Sequence, residues 1–283
     1  MNSAAWPTLI VPFFNLRDSV DACLAALDRT LPAGAPVLLA DDASTDPAIE
    51  PLVGGWIGRS KLAARHLRQP RTLGMAANCN AAIAQCTGDV VLLKTQALLT
   101  PGWMQQLIKG AAHQPEAATL SVWSSSAGPC SFPLLGEDNP VAEFPEAVAE
   151  AAASLEWDAS PELPAWGGPC LYLRGTALRQ LGELDARTFS GERALDDFSR
   201  RAAAMGWRNL LCPTVYLPGT HDDAAMSLQG DELARLLVRW PDYQEQVARF
   251  LMADPLRAFR QRLQSRIGEL ARSGPQRDLF AMA

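Results

Sequence analysis

The chain alternates short, uninterrupted apolar runs with longer stretches whose apolar residues fall on one helical face. "TLIVPFFN" (8 to 15), Val37 to Ala40 and Val90 to Leu93 are runs of strand length, the pattern of strands buried on both faces in a parallel sheet. The first is expected to stop at Pro12. "LAARHLRQP" gives a third strand of poor periodicity. Between the strands, Val20, Cys23, Leu24 and Leu27 recur at helical spacing. Pro47 behind Ser44 and Thr45 predicts a second helix capped by one of the two hydroxyls. "LGMAANCNAAIAQCTGD" reads as a small-residue helix ending at Gly88. Thr100 and Pro101 predict the cap and first residue of a helix with Met104, Leu107, Ile108 and Ala111 on one face. Four β-α units within about 110 residues predict a doubly wound, mostly parallel sheet with helices on both faces.

From residue 124 to about 168 the periodicity breaks into Pro, Gly and Ser-rich stretches around one helix-like segment, "EFPEAVAEAAASL". Such surface segments shape specificity more often than core. "PCLYLRGTALRQLGEL" restores a strand and a helix, and "DDFSRRAAAMGWRNLLCPTVYL" a helix stopped by Gly206 and a last strand. Beyond Pro218 the pattern turns helical, with Leu233, Leu236, Leu237 and Trp240, then Val247, Phe250 and Leu251, then an Arg-rich tail. The expected organisation is an α/β domain over 1–217 and a helical extension over 218–283.

Composition narrows the class. With 283 residues, 48% of them hydrophobic, the chain can bury a large core. A net charge of −6 and the lack of a long basic run argue against a nucleic-acid partner. The N-terminus has no basic segment leading into a signal-peptide core, and no apolar run approaches the roughly 20 residues of a transmembrane span. A cytoplasmic location follows as the expectation, compatible with peripheral attachment to a membrane. The six cysteines form no CxxC pair and no cluster with zinc spacing. Cys79 and Cys86, seven residues apart on a predicted helix, stand about 10 Å apart, too far for a disulfide. Reduced thiols are expected.

Ligands of open α/β sheets sit at the carboxyl ends of the strands. Asp41 and Asp42 follow the second strand there, and Lys94, Thr95 and Gln96 follow the run Val90 to Leu93.

Six segments, "LIVPFFN", "LLADDASTD", "LGMAANCNAAIAQCTGDVVLL", "LLTPGW", "GGPCLYLRGTAL" and "DDFSRRAAAMGWRNLLCPTVY", resemble in order and spacing the family 2 glycosyltransferases, which share the GT-A fold. The resemblance covers most of residues 8 to 217, with a weaker likeness in the tail. It implies inverting transfer of a sugar from a uridine or deoxythymidine diphosphate donor to a hydroxyl of a glycan or other acceptor. It implies a donor half over about 1–115 and an acceptor half over about 116–217. Asp41 and Asp42 match the acids that meet the base and ribose, Pro12 and Asn15 the first donor loop, and Asn80 the asparagine of the following helix. Lys94 and Gln96 fall on the diphosphate side, and Trp166, Gly167 and Gly168 on the acceptor-side loop.

Three departures bear on chemistry. Where the family places metal-binding aspartates, this chain reads "LLKTQA", and a hard divalent cation wants anionic oxygen ligands. A magnesium or manganese cofactor bound as in the family is therefore not expected. Lys94 either supplies the missing positive charge, leaving a metal-independent transferase, or is a solvated loop lysine. Counting back from "GWR", Ala194 and Leu195 replace the leading acids of the family's base motif. Asp196 and Asp197 remain, with Asp196 the preferred base, and Glu192 enters only through a shift of register. Acids at a helix start also explain Asp196 and Asp197 without catalysis. Leu217 replaces a ligating histidine, and His221 with Asp222 can rebuild a metal site only if their loop folds back. Two functions stay open: a transferase with a rearranged site, and a catalytically degenerate protein that binds nucleotide sugar or glycan on the same fold.

Overall fold

Seven strands, β1 (Thr8–Phe13), β2 (Pro36–Asp41), β3 (Ala63–Arg68), β4 (Val90–Leu93), β5 (Ala117–Trp123), β6 (Cys170–Leu173) and β7 (Arg208–Tyr216), form one sheet. Their order is β3-β2-β1-β4-β6-β5-β7. β6 runs antiparallel to both its neighbours, and every other pairing is parallel. The expected mostly parallel α/β sheet is thus present in a computed structural model that describes residues 6–136, 139–158, 160–219 and 230–273.

Alternation along the strands explains the layers. Leu9, Val11 and Phe13 of β1, with Val37 and Leu39 of β2, face a core shared with helices α1 (Arg17–Thr30), α2 (Ile49–Arg59) and α4 (Trp103–His113). Ile10, Leu38 and Ala40 point the other way, toward α3 (Met75–Ile83), α6 (Gly175–Leu181) and α7 (Arg193–Ala204). The far end of the sheet buries Trp123, Leu211 and Tyr216 under α5 (Pro145–Ala153) and α10 (Arg257–Ser273). Helices α8 (Gly230–Arg239) and α9 (Tyr243–Ala253) add Leu236 and Tyr243 to the α7 side. The C-terminal helices are therefore bonded into two of the cores.

Several boundaries differ from the sequence expectation. β1 continues through Pro12, which pairs with Ala40, to Phe13. β4 pairs with β1 only as far as Ile10, so the proline lies where the ladder is one-sided and its missing N–H is tolerated. α2 starts at Ile49, because Ser44 and Thr45 are engaged by Asp41 and Asn15 instead of capping a helix. α4 starts at Trp103 after Gly102 in the left-handed region, and the Thr100 hydroxyl donates to the Tyr216 carbonyl at 3.2 Å. β5 had no apolar-run signature. Its Thr119 and Ser121 are buried but bonded, to Asn209 and to the Gly167 N–H.

All six cysteines are free thiols. Burial pushes Cys23, Cys79, Cys130 and Cys212 up to about 12, which leaves them protonated and unreactive. Among the described residues no helix is long and apolar enough to cross a membrane.

Candidate active site

Parallel pairing brings the carboxyl ends of β2, β1 and β4 to one edge of the sheet. The antiparallel β6 begins at that edge, so the residues entering it, Trp166 to Pro169, meet those leaving β4: the Lys94 N–H donates to the Pro169 carbonyl at 2.8 Å.

At the β2 end, Asp41 is fully buried and its Oδ1 accepts the Ser44 N–H at 2.7 Å. Its Oδ2 has no hydrogen-bond partner, nor has His66 Nε2, 3.6 Å away. Arg68 Nε lies 3.8 Å from the same oxygen, while its Nη1 reaches Glu50 at 2.9 Å. One buried carboxylate oxygen and one ring nitrogen therefore hold unspent hydrogen-bonding capacity side by side. Asp42 is differently occupied, accepting the Leu73 and Gly74 N–H groups at 2.7 and 2.9 Å. It fixes the turn into α3.

Asn15 and Leu16 both adopt positive φ, 56° and 54°. The Asn15 carboxamide oxygen accepts from the Thr45 and Asp46 N–H groups at 2.9 and 3.0 Å, and the Asn15 backbone N–H donates to the Ser44 hydroxyl at 2.8 Å. The β1 and β2 exit loops are thereby locked together, with Pro12 at their base. Asn80 makes a paired contact with the Leu184 backbone, donating to its carbonyl at 2.8 Å and accepting its N–H at 3.0 Å. Both ends of its carboxamide are committed to the protein.

At the β4 end, the Lys94 ammonium is ion-paired with Glu192 and lies 5.1 Å from the centre of the Trp166 ring. Gln96 is half-buried beside it, and its Oε1 accepts from the Thr95 hydroxyl at 3.3 Å. Cation, carboxylate and indole thus converge from three separate segments. The Trp166 loop is fixed by close packing: a Cβ on Gly167 would lie 2.3 Å from the Ala127 carbonyl oxygen, and Gly168 takes φ +94°. Only glycine fits there.

The acids of α7 point elsewhere. Asp197 is fully buried and accepts from Arg201 at 2.8 Å, Arg239 at 3.0 Å and Trp240 at 3.0 Å. Asp196 pairs with Arg193 at 2.8 Å and bonds Tyr243. Burial raises its carboxyl to about 6, against the opposing pull of Arg193. Ala194 and Leu195, where the family's leading acids fall, are buried in the core. Of the three acids singled out in the sequence, Glu192 is the one joined to Lys94.

The residues present do not fit a divalent cation bound at the end of β4. Residues 94 to 96 offer an ammonium, a hydroxyl and a carboxamide, and among the described residues no group of three His, Cys, Asp or Glu is placed to hold a metal. His221 and Asp222 lie outside the described residues.

Comparison with known proteins agrees with this architecture. Residues 8–130 match the family described as glycosyl transferase family 2. No curated protein sequence matches the chain. Among solved structures, the chain resembles the mannosyltransferase PcManGT from Pyrobaculum calidifontis in complex with GDP-Man and Mn2+, at 18% identity and a TM-score of 0.55, over 95% of this chain and 76% of that one. It resembles GalNAc-T7 with UDP, GalNAc and Mn2+ at 11% identity and a TM-score of 0.65, over 96% of this chain and 58% of that one. It also resembles S. aureus TarS 1–349 in complex with UDP-GlcNAc, at 17% identity and a TM-score of 0.54, over 94% and 72%. Identities this low establish the fold. Residues 8–130 therefore resemble glycosyl transferase family 2, and the chain is built on the GT-A fold of these structures.

Proposed function

We propose that the protein transfers a sugar from a nucleotide-sugar donor to an acceptor hydroxyl with inversion, and that Lys94 supplies the positive charge a metal supplies elsewhere. The observation that carries this reading is the convergence of Lys94, Glu192 and Trp166 at the end of β4. In the reaction the bond from the anomeric carbon to the diphosphate oxygen breaks as the acceptor oxygen attacks from the opposite side. The acceptor proton passes to a carboxylate and the leaving charge stays on the diphosphate. Glu192 suits the first role and Lys94 the second. A diphosphate carries more charge than one carboxylate, so its arrival draws the ammonium from Glu192 and leaves that acid free to accept a proton. Trp166 offers a face for a sugar ring.

The β2 end supports a uridine or deoxythymidine donor. Asp41 has one unspent oxygen, which suits the single imide N–H of uracil or thymine; guanine presents two adjacent donors and wants both carboxylate oxygens. Arg68 and His66 lie 3.8 and 3.6 Å from that oxygen, and a nucleobase would have to displace one of them. The acceptor is a glycan or another hydroxyl-bearing molecule. Residues 1–217 would then form the transferase domain and 218–283 its helical extension.

A second reading, a catalytically degenerate binding protein, is favoured by one observation: Ala194 and Leu195 stand buried where the family's leading acids fall. Titration with uridine, deoxythymidine and guanosine diphosphate sugars, with manganese and with chelator, separates the two when donor hydrolysis is followed alongside binding. Binding with turnover supports the transferase. Binding without turnover to any acceptor or to water supports the binding protein, and the absence of any nucleotide binding overturns the transferase and leaves only a glycan-binding protein.

A further inference from the structure

The segment that delivers Glu192 is held from outside itself. The Ser190 N–H, the Ser190 hydroxyl and the Gly191 N–H all donate to one oxygen, Glu232 Oε1, at 2.6, 2.7 and 3.3 Å. Glu232 is buried in the first turn of α8, where a carboxylate is also favoured by the helix dipole. From the opposite side the Ser190 carbonyl accepts the Ala76 N–H at 2.9 Å. Gly74 suits that approach, since it takes φ +90° and a Cβ there would lie 3.2 Å from both the Ser190 Cβ and its carbonyl oxygen. The same helix holds the loop two residues earlier: Arg235 donates to the Thr188 carbonyl at 3.1 Å, and Arg239 to the Thr188 hydroxyl at 3.2 Å. Glu232, Arg235 and Arg239 are spaced i, i+3 and i+7, one face of a helix. That face brings three side chains to residues 188 to 191, and Arg239 on it also reaches Asp185 and Asp197.

We infer that Glu232 is a positioning residue for Glu192, setting where its carboxylate stands relative to Lys94. The inference rests on the transferase reading for its catalytic consequence, though not for its geometry. The Ser190 and Gly191 N–H groups lie two and one residues ahead of Glu192, and α7 begins directly after it. With Ser190 pinned between α3 and α8, the chain has a fixed point from which residue 192 enters the helix. Without Glu232, three donors lose their common acceptor and the entry point moves. A misplacement of about 1 Å at a reacting group costs on the order of 10²-fold in rate. The role differs from bracing alone: bracing changes only resistance to unfolding, whereas positioning also changes the Lys94–Glu192 pair in the folded protein.

The test uses the full chain, with UDP as the binding probe and a UDP-hexose for turnover. Glu232→Ala is compared with Glu232→Gln, whose side-chain carbonyl still accepts, and with Glu192→Gln, which removes the acid. Three quantities are read: amide exchange at Ser190 and Gly191, the nitrogen resonance of the Lys94 ammonium, and turnover beside UDP affinity. Glu232→Ala is expected to speed exchange at both amides and to move the Lys94 resonance toward its Glu192→Gln position. Turnover is expected to fall about 10²-fold at unchanged UDP affinity. Glu232→Gln is expected to recover most of each. Should Glu232→Ala fail to fold, Ser190→Ala removes one donor of the three and is expected to shift the same resonance partway. An unmoved Lys94 resonance, in whichever variant folds, overturns the inference. Should the intact protein bind UDP without turnover, the transferase reading falls while the Lys94 resonance still decides the positioning role.

Discussion

Asp197 accepts a hydrogen bond from Arg239 at 3.0 Å across a sequence gap of 42 residues, the same carboxylate that Arg201 and Trp240 also bond. A fully buried acid with three protein donors is enclosed by the protein, and a structural role accounts for it. Replacing Asp197 with Ala should take one acceptor from Arg201, Arg239 and Trp240 while Arg239 keeps Asp185 and Arg201 keeps two backbone carbonyls, at a cost of about 1–3 kcal/mol read as a lower melting temperature. Glu192→Gln should behave oppositely, costing less than about 1 kcal/mol at its partly exposed ion pair. Its turnover should fall 10²- to 10⁴-fold with donor affinity retained. Full turnover in Glu192→Gln would place the base elsewhere.

Nucleotide binding should act through Asp41. A uridine or deoxythymidine diphosphate at 100 times its Kd should add about 2.7 kcal/mol of stability, visible as an upward shift in Tm. Asp41→Asn keeps the size but replaces the acceptor edge and should remove most of that shift. Guanosine diphosphate stabilising the protein as strongly as uridine diphosphate would contradict the single-acceptor argument.

The cation should be the lysine. Chelator should leave UDP affinity unchanged, and Lys94→Ala should weaken UDP more than uridine, by the loss of one charge-assisted contact of about 1.5–3 kcal/mol. Calorimetry with both ligands reads the difference. Strict dependence on manganese would show a metal site built from other residues.

Asp196 should make stability depend on pH. Its folded carboxyl titrates at about 6, above the unfolded value of about 3.9, so the folded state holds the proton more tightly. The stability this contributes is fully present below about pH 4 and is lost as pH rises through about 6. Arg193 and Tyr243 face the same carboxyl. Denaturation of intact protein and Asp196→Asn across pH 4 to 7.5 should show the intact protein losing ground to the variant as pH rises. A constant difference would mean that Asp196 does not titrate in this window.

Much of the fold was legible because burial writes itself into apolar runs. The runs at Leu9, Val37 and Val90 became β1, β2 and β4, and the stripe through Val20 and Leu27 became α1. β5 was not legible, since Thr119 and Ser121 interrupt its run and their partners, Asn209 and the Gly167 N–H, lie far along the chain. The site divides the same way. Asp41 drew notice because strand ends gather ligands, and the structure places it at the end of β2 with one carboxylate oxygen lacking a hydrogen-bond partner. The choice among Glu192, Asp196 and Asp197 could not be made locally. All three look like acids at the start of one helix, and what separates them is which is claimed by Arg239, Trp240 and Tyr243. Those claims come from helices some 40 residues downstream.

That distance also has a direction in time. A ribosome releases the chain from its N-terminus at about 5–20 residues per second. Ser190 and Glu232 are 42 residues apart, so the loop carrying Glu192 emerges roughly two to eight seconds before the helix that holds it. Six of the seven strands precede that interval and β7 (Arg208–Tyr216) emerges within it, so the sheet can be complete while the loop carrying Glu192 still lacks its anchor. A nascent chain can therefore complete its sheet before the Glu192 loop is held, and a premature stop between Tyr216 and Glu232 leaves all seven strands without the helix that bonds Ser190.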